Sequence, residues 1–361
     1  MTSPATPAPE DHPHHRRGVF EVGERVQLTD PKGRLHTITL EPGREFHTHR
    51  GYLRHDDLIG RPDGSVVTNT ADVEYLALRP LLSDYVMSMP RGAAVVYPKD
   101  AGQIVQMADI FPGAVVVEAG VGSGALSMSL LRAVGDNGRL HSFERREDFA
   151  EIAKANARAF FGGDHPAWSV HTGDLVERLP EELDPGSVDR VVLDMLAPWE
   201  CLDVVADALV PGGVLICYVA TTTQLSRVAE GMRAHGGFTE PSAWESIVRG
   251  WHLEGLAVRP QHRMHGHTGF LITARRLAPG VTPPERKRRP AKGSRPGALG
   301  TGTATDLGQA ADDSDAVLSA AGGSMAGLDE VEWTPEALGE RLKSDKRIRR
   351  LRRSLTGTSD G

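Results

Sequence analysis

The chain has 361 residues, 39% of them apolar, and a formal net charge of −7, which leaves room for two ordinary globular domains. The acidic balance excludes a uniformly basic nucleic-acid binder, so any phosphate contact has to come from local patches. No apolar run reaches the length of a membrane span, the N-terminal tail lacks the apolar segment of a signal peptide, and the two cysteines, Cys201 and Cys217, lie in apolar surroundings; this predicts a cytoplasmic protein with buried thiols and no membrane partner.

Residues 1–17 are rich in Pro and His and are expected to stay disordered. Residues 18–82 read as a small β domain, a barrel or curled sheet. Short alternating runs, Arg25–Leu28, Leu35–Leu40, Ser65–Thr68 and Tyr75–Leu78, are separated by turn signals at Asp30-Pro31-Lys32-Gly33, Glu41-Pro42-Gly43 and Arg61-Pro62-Asp63-Gly64. The polar run Glu45–Gly51 is either a surface loop or a substrate contact. Tyr85–Pro98 reads as a link, followed by a helix over Ala101–Ile110 with Asp100 placed to cap it.

From residue 83 to 277 strands and helices alternate. Strands are expected at Ala114–Glu118, Arg139–Phe143, Trp168–Thr172, Val188–Leu193 and Gly213–Val219, then near Trp244–Val248, Leu253–Val258 and Gly269–Ala274. Helices are expected at Leu126–Val134, Asp148–Phe160, Glu200–Leu209 and Gln224–Ala234. This is an α/β fold with a mostly parallel, doubly wound sheet, and its ligand crevice lies at the carboxyl ends of the strands. Residues 278–361 open with Thr282–Pro290 into a linker rich in Gly, Ala, Ser and Asp, read as disordered. A helix is expected at 334–355, ending in the basic run Lys346–Arg353, which is either a solvated face or a hold on RNA phosphates.

The chemistry gathers at Ala114–Leu126, AVVVEAGVGSGAL: an apolar strand, three alternating glycines (Gly120, Gly122, Gly124) and a helix start. Glycines let the backbone approach a ligand, and the amides of a new helix are free to bind polar groups. Gly120-x-Gly122-x-x-Ala125 also satisfies the loose dinucleotide fingerprint. Glu118 tips the reading toward S-adenosylmethionine, because a carboxylate suits ammonium and sulfonium groups and suits a pyrophosphate badly. Glu144, about 20 positions after the loop, stands where an acid accepts both ribose hydroxyls. Asp174 and Asp194 also end strands, although Asp174 is equally placed to cap a helix.

With Tyr97-Pro98-Lys99-Asp100 and Asp194-Met195-Leu196-Ala197-Pro198-Trp199 added to the glycine loop, the chain resembles the TrmI family, the tRNA (adenine-N1)-methyltransferases that modify adenosine 58 of the T-loop. The resemblance covers Gly18–Leu277 and includes Arg259–His262 and Gly266–Leu271. It implies a class I S-adenosylmethionine-dependent methyltransferase domain, Rossmann-like with a seven-stranded sheet, behind a small N-terminal β domain. The implied partners are tRNA and three further copies in a homotetramer. By the same resemblance Gly120, Val121, Gly122, Ser123, Gly124, Ala125 and Leu126 hold the methionine part of the cofactor, Glu144 the ribose, Asp174 and Leu175 the adenine, and Gln103 a further contact. Phe149 departs from a position that is often polar in the family. Asp194, which also borders the cofactor, is the candidate catalytic carboxylate: adenine N1 becomes cationic on methylation, and a carboxylate accepting from N6 both places the base and stabilises that charge. Tyr97 and Tyr218 resemble the aromatic residues that line the base pocket.

Other classes stay open on residues alone. A nicotinamide-dependent oxidoreductase fits the glycine spacing and leaves Asp194–Trp199 unexplained. A non-catalytic RNA-binding subunit would be expected to lack the loop or Asp194. Methyl transfer to a protein or small molecule leaves the β domain without a role. His262, His265 and His267 have no accompanying thiolate or carboxylate cluster, so no metal is expected.

Overall fold

The structure, a computed structural model, describes residues 17–284. The tail at 1–16 and the expected linker and basic helix at 285–361 lie outside the described residues.

The N-terminal β domain comprises β1 (Arg25–Thr29), β2 (Leu35–Thr39), β3 (Glu45–His47), β4 (Tyr52–Arg54), β5 (Ser65–Thr68) and β6 (Glu74–Leu78). Four strands form an antiparallel sheet in the order β2-β1-β6-β5, and β3 pairs with β4 in a separate hairpin. Alternation along β1 and β6 sends Val26, Leu28, Tyr75 and Ala77 inward, where they meet Phe20, Leu40, Leu53, Leu58 and Val67. The β3–β4 hairpin falls where a surface loop or substrate contact was read. Its strands are three residues long and mostly polar, so they carry no alternation long enough to announce themselves.

The second half runs α1 (Leu82–Ser88), α2 (Pro98–Met107), β7 (Val115–Ala119), α3 (Ala125–Val134), β8 (Arg139–Glu144), α4 (Glu147–Phe161), β9 (Trp168–Thr172), α5 (Leu175–Glu182), β10 (Val188–Asp194), α6 (Leu202–Ala208), β11 (Leu209–Val219), α7 (Thr222–His235), β12 (Ser242–Trp244), β13 (Trp251–Glu254), β14 (Ala257–Pro260) and β15 (Phe270–Arg275). Seven strands form one sheet, ordered β12-β15-β11-β10-β7-β8-β9. β9, β8, β7, β10 and β11 run parallel, and β15 and β12 run antiparallel to their neighbours. The pleat sorts the core into two layers. Val116, Val192 and Ile216 face α1 to α4, while Val117, Val191, Leu215 and Cys217 face α5 to α7. The central strands β7, β10 and β11 are therefore apolar on both sides, which explains their valine and leucine runs. No helix among the described residues is long and apolar enough to cross a membrane.

Four sequence expectations change. α2 begins at Pro98, whose ring pre-sets a helical φ at the first position, so Tyr97 is the N-cap and Asp100 lies inside the first turn instead of capping it. The start of the stretch read as link, Tyr85–Ser88, is helical and belongs to α1. The span 175–182, for which no helix was read, forms α5 despite Pro180. The strand expected at Leu253–Val258 is two strands joined by Gly255-Leu256, with Gly255 at φ +53°. β13 and β14 form a two-stranded arm of their own, with Trp251, Leu253, Leu256 and Val258 exposed.

Candidate active site

The glycine loop follows from the end of β7. The Gly120 amide donates to the carbonyl of Phe143 at 3.1 Å, and at φ +87° a Cβ there would stand 1.7 Å from the carbonyl oxygen of Asp194. Only glycine lets the end of β7 pass this close to β10. Gly124, at φ +80°, caps α3 and lies against Ala153 of α4.

Around the loop the side chains separate into those that build it and those that face its open side. Glu144, at the end of β8, accepts from the Gly122 amide (3.0 Å) and from the Arg146 amide (3.0 Å). Two backbone donors fix this carboxylate while each oxygen keeps a second acceptor site, as a ribose hold requires. Glu118 behaves differently. It shares the face of Val116 by the two-residue strand period, under α3, where it is wholly buried. Ser142 Oγ donates to it at 2.6 Å and Ser127 Oγ at 2.7 Å, and burial pushes its carboxyl up to about 7. In this structure the Glu118 side chain braces β7, β8 and α3 from beneath.

Ser123 is also turned inward. Its hydroxyl accepts from the Gly92 amide at 3.1 Å, and Asn156 Nδ2 donates to the carbonyls of both Ser123 and Pro90. The segment 90–93 is thereby strapped across the loop. Phe149 packs against Gly92, where a Cβ would meet its ring at 2.8 Å, and carries the Arg146 guanidinium 4.0 Å above it. The side chains of Val121, Ala125 and Leu126 are buried, which leaves backbone amides as the loop's polar offering. The Leu175 side chain belongs to the core beside Phe143 and Leu179. Asp174 is the N-cap of α5, accepting from the Val176 amide at 2.8 Å, and it also pairs with Arg145. Gln103 is half-buried on α2, one turn after Lys99.

Asp194 ends β10 and is the register partner of Tyr218 on β11. Tyr218 lies flat over Gly269, where a Cβ would sit 2.4 Å from its ring, and its hydroxyl donates to the Thr268 carbonyl at 2.7 Å. Burial, reinforced by the nearby carboxylates of Asp100 and Asp194, raises the Tyr218 phenol well above its usual range, so it stays protonated. Tyr97 stacks obliquely on His265 with ring centres 4.7 Å apart. Among the described residues no three His, Cys, Asp or Glu side chains converge as a metal site. What residue spacing did not reveal is the buried knot of Lys99, Asp100, Ser246 and Thr268 beside Tyr218. The Tyr97–Asp100 motif was its visible end, and its partners lie more than a hundred positions away.

Residues 18–67 match the TrmI-like N-terminal family, and residues 75–255 match the family described as tRNA methyltransferase complex GCD14 subunit. The chain is 36% identical over 249 residues to the tRNA (adenine(58)-N(1))-methyltransferase TrmI of Thermus thermophilus, an alignment covering 69% of this chain and 95% of that protein. The chain belongs to the TrmI family of tRNA methyltransferases. The tRNA (adenine(57)-N(1)/adenine(58)-N(1))-methyltransferase TrmI of Methanocaldococcus jannaschii is 28% identical over 280 residues, which cover 72% of this chain and 89% of that protein. Among solved structures, a SAM-dependent O-methyltransferase of Thermotoga maritima superposes with a TM-score of 0.67 at 30% identity, over 72% of this chain and 95% of that one. Family and fold make S-adenosylmethionine the cofactor. The residues present fit it: a glycine cradle that a Cβ would fill and a fixed carboxylate at Glu144.

Proposed function

We propose that this chain transfers a methyl group from S-adenosylmethionine to N1 of adenosine 58 in the T-loop of tRNA. The observation that carries the reading is the placement of Asp194. It ends the central strand β10 with its carbonyl against Gly120 of the glycine loop, and it is paired across the sheet with the half-buried Tyr218.

The cofactor supplies a methyl group already activated by a sulfonium, so the protein has little covalent chemistry to do. Backbone amides of Gly120–Leu126 and the carboxylate of Glu144 hold and orient it. Tyr97 and Tyr218 offer aromatic faces for a base withdrawn from its loop. Asp194 accepts from the exocyclic amine, aims N1 along the line of transfer and opposes the positive charge that develops on the ring. Asp174 accepts from the cofactor's adenine in addition to its capping bond, which leaves it one further lone pair to use.

The same reading makes the working assembly a homotetramer acting in the cytoplasm on free tRNA. The exposed apolar arm of β13 and β14 is the kind of surface a subunit contact covers. Sedimentation of the purified chain as a monomer would remove the tetramer.

Asp194→Ala tests the central assignment. The expected result is a fall of roughly 100-fold in the single-turnover rate on tRNA, the size of losing one preorganised electrostatic contact, with cofactor affinity kept within a few-fold. Turnover close to wild type would remove Asp194 from that role.

A further inference from the structure

Asp100 is the most fully enclosed carboxylate outside the glycine loop's own bracing, with its side chain 1% exposed. A buried carboxylate persists only where it is hydrogen-bonded, and here three short donors meet it, with the Tyr218 hydroxyl 3.5 Å from Oδ2. Oδ1 accepts from Lys99 Nζ at 2.7 Å and Ser246 Oγ at 2.8 Å, and Oδ2 accepts from Thr268 Oγ1 at 2.6 Å. The ammonium of Lys99 is used to the same degree. It donates to Asp100, to the Ser246 carbonyl at 2.7 Å and to Thr268 Oγ1 at 2.6 Å, which accounts for its three protons.

These contacts fasten the first turn of α2, which no strand pairing reaches, to the segment between β12 and β13 and the segment between β14 and β15, two segments whose flanking strands already pair with each other. Both tyrosines of the base pocket hang on the knot. Tyr97 is the N-cap of α2, two residues before Lys99, and its ring meets His265 in the last of those segments. The phenol of Tyr218 is held by the carbonyl of Thr268, and its ring lies over Gly269. The contacts that brace the glycine loop, through Glu144, Ser123 and Asn156, use other residues.

We propose that Lys99 and Asp100 form a positioning pair for the target base, fastening the segment that carries Thr268 and His265 onto α2 so that Tyr97 and Tyr218 are each held in place. Neither residue touches the reacting atoms. This rests on the tRNA reading above, and it adds that the base pocket is assembled by a buried ion pair distinct from the cofactor cradle.

The physics of buried pairs supplies the test. Removing one partner leaves an uncompensated buried charge, whereas replacing both with apolar residues of similar size removes that penalty. Three full-length variants are compared with wild type: Asp100→Asn, the double variant Lys99→Met with Asp100→Leu, and Thr268→Val. For each, the melting temperature, the dissociation constant for S-adenosylmethionine and the steady-state constants on tRNA are measured, with rates expressed per cofactor-binding site. The double variant is expected to melt near wild type and to bind cofactor within about twofold. Its kcat on tRNA should fall on the order of 100-fold, as misplacement of a reacting base by an ångström does. Thr268→Val, which removes one bridging hydroxyl, should lose about tenfold on the same scale.

A double variant with wild-type melting and wild-type kcat per site overturns the proposal, because the pair would then be structural filling. If the double variant does not fold, Thr268→Val decides alone: unchanged kcat per site overturns the proposal, and a selective fall in kcat supports it. Wild-type protein run alongside separates the two readings, since a wild type that transfers no methyl group to tRNA contradicts the substrate assignment and says nothing against the knot's geometry.

Discussion

Glu118 shows how a residue visible in a motif can have partners that the motif does not name. An acid two positions before the first glycine is visible in the sequence, but its direction is set by the strand period, which places it with Val116 beneath α3. Its hydroxyl partners, Ser127 and Ser142, are ordinary polar residues that no spacing rule joins to it. Burial has a measurable consequence. In the unfolded chain this carboxyl titrates near 4.5, and in the folded protein it does so near 7. Between those values the folded state keeps a proton that the unfolded state has released, so this group's contribution to stability falls as pH rises through the window and levels off above it. Full development of the effect is worth about 3 kcal/mol. Glu118→Gln, which cannot titrate, should lack that decline, and melting curves from pH 4.5 to 8 should show the variant gaining on wild type as pH rises. Parallel curves for the two proteins would contradict the buried, proton-holding state. By contrast, Gly120 was fully legible, because the same steric demand that writes glycine into the sequence is the 1.7 Å approach to Asp194.

Among the elements, legibility followed length and apolar content. β7, β10 and β11 were readable because strands buried on both faces are rich in apolar residues. α1 and the β3–β4 hairpin are too short for a periodic pattern to build up, and α5 was hidden by Pro180 and by a run of charged residues on its outer side. That helix makes Asp174 do two jobs on the present reading, cap and adenine acceptor. Asparagine separates them, because it caps a helix about as well as aspartate but brings an amide in place of half the carboxylate. Asp174→Asn should melt within a degree or two of wild type and bind S-adenosylmethionine about tenfold more weakly, the worth of one charge-assisted hydrogen bond. Unchanged affinity by calorimetry would leave Asp174 as a cap alone. The β13–β14 arm was misjudged for a different reason: Leu253 to Val258 reads as one apolar strand until Gly255 turns it back.

For the molecule as a whole, the sequence located the parts and the fold supplied their relations. The order of the seven strands brings the ends of β7, β8, β10 and β11 side by side, so that the glycine loop, Glu144, Asp194 and Tyr218 share one edge of the sheet. The knot at Lys99 and Asp100 then folds α2 and the two late segments over that edge. Long-range pairing of this kind leaves no local trace, which is why a four-residue motif was all that could be seen of it. This edge is a methylating site for adenosine 58 of tRNA. The most direct measurement is transfer of labelled methyl from S-adenosylmethionine by the purified full chain to unmodified tRNA and to a transcript with adenosine 58 replaced, followed by nuclease digestion and nucleoside identification. The account predicts N1-methyladenosine in the T-loop of the first RNA and its loss at that position in the second. Tight cofactor binding with no label in either RNA would contradict it.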